Sequence, residues 1–114
     1  DQLLGGAGSD VFIFRSSEES SVGQFIRDVI WDFEAGTGNT AVDRLDISSL
    51  ATGMFDFLGA ETETFSGSGN TEARFNNQTK ILEIDADGDT QADMEIELQN
   101  VDIANLDNDD FVTS

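Results

Sequence analysis

Nine consecutive residues near the start, Gly5-Gly6-Ala7-Gly8-Ser9-Asp10-Val11-Phe12-Ile13, constrain this chain more than any other stretch. They form one unit of the pattern G-G-x-G-x-D-x-U-x, where U is a large apolar residue. Nine positions earlier, Asp1 falls in the aspartate slot and Leu3 in the apolar slot, so the tail of a preceding unit lies in register with it. The glycines allow a tight turn at positive φ and let backbone carbonyls approach an ion closely. The aspartate supplies a charged oxygen, and x-U-x is a short strand whose U side chain points inward. A lone G-G-x-G is an ordinary glycine-rich loop; a full unit preceded in register by Asp-x-Leu argues for a repeat.

Composition narrows the chemistry. The 114 residues suffice for one domain with a modest core. There is no Cys and no His. Disulfides, thiolate sites, the commonest general base and the commonest transition-metal ligand are therefore excluded. Asp and Glu number 24 against 5 Lys and Arg, a formal charge of −19. Nucleic acid and an anionic membrane surface would both be repelled, so neither is expected as a partner. No apolar run reaches membrane-spanning length. Two readings of the charge compete: a solvated face that keeps the protein soluble, or carboxylates clustered for hard cations, which take oxygen ligands.

Beyond Phe14 the pattern changes. FIRDVIWDF is β-rich, with Trp31 expected in the core because it lies in an apolar strand. DRLDISSL sets Leu45 and Ile47 against Asp46 and Ser48, a half-buried strand. MFDFLG and ETETFSG carry Phe residues expected to pin loops to the core. TEARFNNQTKILEID predicts a hairpin turning at Asn76-Asn77-Gln78-Thr79. DMEIEL places Met94, Ile96 and Leu98 on one face and Asp93, Glu95 and Glu97 on the other. VDIANLDNDDFV predicts a short helical turn and a last strand. No long segment shows the helical period, so the chain is predominantly β.

The nonapeptide resembles the calcium-binding repeat of RTX proteins, in which stacked units form a parallel β-roll with calcium between turns. The resemblance extends over nearly the whole chain to the C-terminal domain of serralysin-type secreted proteins. After Asp1 through Phe14, the order Asp28, Ile30, Asp32, Phe33, Gly36 is similar to the family's D-x-I-x-D-F-x-x-G. Asp43, Leu45, Asp46, Ile47 and Ser48 follow, then Phe65 to Gly67, then Asp85, Asp87, Gly88, Asp89, Ala92 and Asp93. The segment from Gly36 to Asp43 is longer than the family pattern. The resemblance implies an all-β fold: the last rungs of a parallel β-roll over 1–14, then a β-sandwich-like capping and secretion domain over 15–114. It also implies a secreted, extracellular, monomeric protein that folds on calcium. Its expected partners are an upstream roll and functional domain of the same chain and a type I secretion machinery. That machinery reads an acidic–apolar tail, here Asp110, Phe111 and Val112, followed by a departure at Thr113 and Ser114.

Two sets of calcium ligands are expected. Asp10 leads the first, with the carbonyls of Gly6 and Gly8; by resemblance, Asp43 and Asp32 contribute from the closing segment, and Asp1 sits beside a preceding rung. The second is DADGDTQAD, with Asp85, Asp87, Asp89 and Asp93 at relative positions 1, 3, 5 and 9. EF-hand loops place oxygens there too, but their glycine stands at 6 and a Glu at 12. Here Gly88 is at 4 and Ile96 at 12, so the match is partial. A polar turn, where Asp and Gly are favoured anyway, is the alternative.

The fragment itself is expected to be non-catalytic. No H-E-x-x-H zinc motif is present. Carboxylate pairs are so abundant that a glycosidase reading carries no signal. The parent chain would be a zinc metalloprotease or another exported enzyme or adhesin. A carbohydrate-binding or adhesion module using Trp31 and exposed Phe residues is the remaining alternative.

Overall fold

The computed structural model describes residues 2–23, 27–36 and 42–114. Among these, nine strands and three 3-10 turns occur and no α-helix. The strands are β1 (Gln2–Leu3), β2 (Val11–Ile13), β3 (Asp28–Ile30), β4 (Arg44–Asp46), β5 (Asp56–Ala60), β6 (Glu72–Asn76), β7 (Ile81–Asp85), β8 (Met94–Leu98) and β9 (Phe111–Val112). They build a six-stranded sheet in the order β1-β3-β8-β7-β6-β5 and a three-stranded sheet in the order β2-β4-β9.

The chain coils between these sheets. β1, β3 and β8 pair in parallel in one, and β2, β4 and β9 pair in parallel in the other. Each turn of the coil gives one strand to each sheet, so β1/β2, β3/β4 and β8/β9 stack as three rungs. Register aligns the inward side chains: Leu3 opposite Ile30 and Ile30 opposite Leu98 on one side, Phe12 opposite Leu45 and Leu45 opposite Phe111 on the other. All six belong to, or pack against, one core cluster. This is the parallel, β-roll-type architecture expected from the nonapeptide, and it joins the first fourteen residues to strands far along the chain.

Between the second and third rungs the chain makes an excursion that widens the larger sheet. β6 and β7 form the predicted antiparallel hairpin, and β7 continues antiparallel to β8. The hairpin turn is built by Asn76, whose Oδ1 accepts the Gln78 and Thr79 N–H groups at 2.9 and 3.1 Å. The alternation in β8 is as expected: Met94, Ile96 and Leu98 are fully buried. On its outer face Arg27 reaches Glu97 at 2.6 Å and Glu95 at 3.3 Å. The helical turns and last strand expected near the end are the 3-10 turns Ile103–Asn105 and Asn108–Asp110, followed by β9.

Two expectations are corrected. Trp31 is 42% exposed. Alternation turns Ile30 inward, so the next residue faces out, although its backbone is held by the Leu3 carbonyl and the Asn100 side-chain amide. The MFDFLG segment is a strand rather than a pinned loop: β5 pairs in parallel with β6 through a bulge between Phe57 and Gly59, whose φ is +110°. The Phe residues do anchor it, since Phe55 and Phe57 lie 4.6 and 5.9 Å from the Phe111 ring. Phe65 is buried beneath the Arg74 guanidinium, 4.2 Å from the ring centroid.

Candidate metal centre

The glycine-rich loop links β1 to β2. Gly6 and Gly8 have φ of +82° and +89°, which L side chains rarely adopt. Gly5 is needed for a different reason: a Cβ there would meet Asp10 Oδ2 at 2.4 Å. The Asp10 carboxylate thus folds back over the start of its own loop. Its Oδ2 is buried and has no hydrogen-bond partner.

Two further aspartates converge on this loop from the next rung. Asp32 accepts the Gly5 and Gly6 N–H groups, each at 2.8 Å, and these bonds hold its carboxyl below the usual carboxylate range. Asp43, 1% exposed, accepts the Asp10 N–H at 2.8 Å and the Glu34 N–H at 2.9 Å. Its own N–H donates to the Glu34 carbonyl. Asp10, Asp32, Asp43 and the Gly5–Gly8 backbone are therefore knitted together. Asp32 and Asp43 spend one lone pair of each oxygen on backbone N–H groups, and Asp10 keeps a free oxygen. An orphaned carboxylate oxygen among all-oxygen donors suits a hard cation. Asp1 lies outside the described residues.

The β7–β8 loop brings the second set together. Ligand oxygens of Asp85, Asp87, Asp89 and Asp93 all lie within 4.8 Å of one another. Asp85, fully buried at the end of β7, organises the loop: Oδ1 accepts from Gly88 and Asp89, and Oδ2 from Thr90 at 2.8 Å. Burial nevertheless pushes its carboxyl above the usual range, against the pull of those N–H groups. Asp93 Oδ2 accepts the Ala86 N–H at 2.8 Å from the other end of the loop. Gly88, at φ +72°, lies so close to the neighbouring loop that a Cβ would meet Gly69 Cα at 2.4 Å. Asp87 and Asp89 are exposed. Four carboxylates at this separation repel one another, so the set also fits a divalent cation.

A further buried acid lies outside both expected sets. Asp110 is 1% exposed; Oδ2 accepts the Asp107 N–H at 2.8 Å, and Oδ1 is buried without a partner. Burial raises its carboxyl to about 6, with Asp107 and Asp109 adding and Arg44 opposing. Its reciprocal backbone pairing with Asp107 repeats that of Asp43 with Glu34. In sequence it is one acid among several in an acidic tail; in the fold it ends the 3-10 turn that packs against β4 and leads into β9.

The fold has a relative among solved structures. The solution structure of the AlgE6R2 subunit from the Azotobacter vinelandii mannuronan C5-epimerase superposes with a TM-score of 0.55 at 25% identity. The match covers 99% of this chain and 65% of that one, so the chain spans about two thirds of that structure's length. No curated protein matches the sequence. Residues 1–113 match the family described as peptidase M10 serralysin C terminal. With that match over nearly its full length, and with a parallel coil opening on the glycine–aspartate unit, the chain belongs to the serralysin C-terminal family of peptidase M10.

Proposed function

We propose that this chain is a non-catalytic, calcium-dependent end domain of a longer exported protein. In this reading residues 1–14 close a β-roll and residues 15–114 cap it and carry the secretion signal. The observation that carries it is the buried, unpartnered Asp10 Oδ2 inside the glycine loop of a chain with net charge −19. Burying such an oxygen costs free energy unless something meets it. Asp10 with the Gly6 and Gly8 carbonyls, Asp32 and Asp43 would hold one ion. Asp85, Asp87, Asp89 and Asp93 would hold another, and Asp1 belongs with a preceding rung. Calcium supplies the positive charge that offsets carboxylate repulsion. The protein's own part is to pre-arrange oxygens: Asp32 and Asp43 tie two rungs to the loop, and Asp85 fixes the second loop from inside.

Binding only to the folded form adds stability by mass action, and extracellular sites work at dissociation constants on the order of 0.1–1 mM. In a calcium-poor cytosol the chain stays loose and fit for export; outside the cell it folds and stabilises the attached functional region. The tail agrees with that order of events, because Asp110 and Phe111 are buried in the folded protein and a type I exporter must meet them beforehand. No helix among the described residues is long and apolar enough to cross a membrane.

Circular dichroism of the 114-residue chain at low ionic strength tests this. The β signature should appear on adding millimolar calcium and vanish in excess EGTA. Asp10→Ala and Asp87→Ala/Asp89→Ala should each raise the calcium midpoint several-fold, which separates the two loops. A fully folded spectrum in excess EGTA overturns the proposal.

The exposure of Trp31, next in line to the exposed Leu4 outside the larger sheet, favours a second reading as a carbohydrate-binding or adhesion module. Trp31 fluorescence titrated with neutral polysaccharides decides it: an unchanged spectrum at saturating sugar ends that reading.

A further inference from the structure

β5 is the outermost strand of the six-stranded sheet, and a groove of about 580 Å³ runs along it. Asp56 and Phe57 form one wall; Ile103 and Asp109, from the two C-terminal 3-10 turns, and Leu106 and Asp107, between those turns, form the other. The floor is apolar and fixed from below, because Phe57 stacks on Phe111 and Leu106 is buried in the core. The rim is acidic: Asp56 and Asp109 are exposed, Asp107 is half-buried, and among the described residues no Lys or Arg lines the groove.

The backbone along this edge is open to pairing. Asp56 donates to the Thr71 carbonyl on the β6 side, so the Phe57 N–H points the other way. It is met there by the side chain of Asn108, whose Oδ1 accepts it at 2.8 Å. A side-chain amide thus stands where the carbonyl of a neighbouring strand would stand. Asn108 is itself exposed.

We infer that this groove docks an extended peptide that alternates basic and apolar side chains, adding a strand to β5 in place of the Asn108 side chain. Strand addition gives affinity through main-chain bonds and specificity through alternate side chains. Apolar residues fit the Phe57–Ile103–Leu106 floor. Basic ones meet Asp56, Asp107 and Asp109, and charge complementarity selects against acidic segments. This site is separate from the calcium loops and does not rest on the reading above.

The test uses the 114-residue chain in excess calcium at about 150 mM salt, where long-range attraction between exposed charges is screened. The probe is a capped eight-residue peptide alternating Lys with Val or Leu, and amide shifts are followed by NMR. Shifts should concentrate at Asp56–Ala60 and 103–109, and the same peptide with Glu for Lys should not bind. Asp56→Asn/Asp109→Asn should weaken binding about tenfold, whereas the charge-matched pair Glu18→Gln/Glu19→Gln, exposed and outside the groove, should leave it within about twofold. Asn108→Ala, which frees the Phe57 N–H, should tighten it. Equal losses from both charge pairs, shifts spread over the surface, weaker binding by Asn108→Ala, or sedimentation showing two copies of the chain pairing instead would each overturn the inference.

Discussion

Asp10 and Asp110 each hold one carboxylate oxygen out of solvent and without a partner, yet only one of them was legible. Asp10 stands at a fixed place in a nine-residue unit whose glycines announce a turn. Asp110 differs from Asp107 and Asp109 locally only in closing the Asp107 cap from three residues on; its burial comes with the packing of that turn against β4. Its ionisation gives a pH dependence of definite sign. Its folded value, about 6, lies above the ordinary 3.8, so the native state binds the extra proton between those values. Below about pH 4 the carboxyl is protonated in both states and costs nothing. Stability is lost as pH rises toward 6 and the full penalty remains above it. Asp107 and Asp109 deepen the penalty and Arg44 reduces it. Asp110→Asn, which cannot ionise, should gain on the wild type by about 3 kcal/mol between pH 4 and 7 and hold that gain at higher pH. Urea unfolding of both proteins in saturating calcium at several pH values measures it; a difference independent of pH contradicts the assignment.

At the scale of elements, legibility followed locality. β8 and the β6–β7 hairpin were readable because one face of each is buried and the turn between them is short and Asn-rich. β5 was missed because its bulge at Gly59 breaks the period-two pattern. The stacking of β3/β4 and β8/β9 as further rungs was invisible because no second nonapeptide follows Phe14 to mark them. Trp31 was misplaced because an apolar strand does not reveal which of its faces is inside. β9 is only two residues long, yet Phe111 closes the smaller sheet and meets both Phe55 and Phe57. Phe111→Ala should cost about 3–5 kcal/mol, seen as a lower urea midpoint with an unchanged slope. A loss under about 1 kcal/mol would mean that β9 is not part of the cooperative unit.

For the whole molecule, charge and compactness are opposed. The folded chain has a radius of gyration of 12.6 Å, whereas an unfolded chain of this length reaches about 34 Å. A net charge of −19 adds self-repulsion that works against the compact state, and the proposed calcium binding would offset it. Small-angle X-ray scattering should therefore give a radius well above 12.6 Å in EGTA at low salt, falling toward that value as calcium is added. Added NaCl without calcium should produce only part of the contraction, because screening lowers repulsion without filling the loops. Full compaction by NaCl alone would remove calcium from the account.

The register that joins Leu45 to Phe111 also sets a schedule. The smaller sheet receives its third strand only when residues 111 and 112 are free to reach back across most of the sequence, a pairing whose loop-closure cost is met late. A polypeptide held at residues 111 and 112 lacks the third strand of its smaller sheet, whereas the pairings of the larger sheet do not call on them.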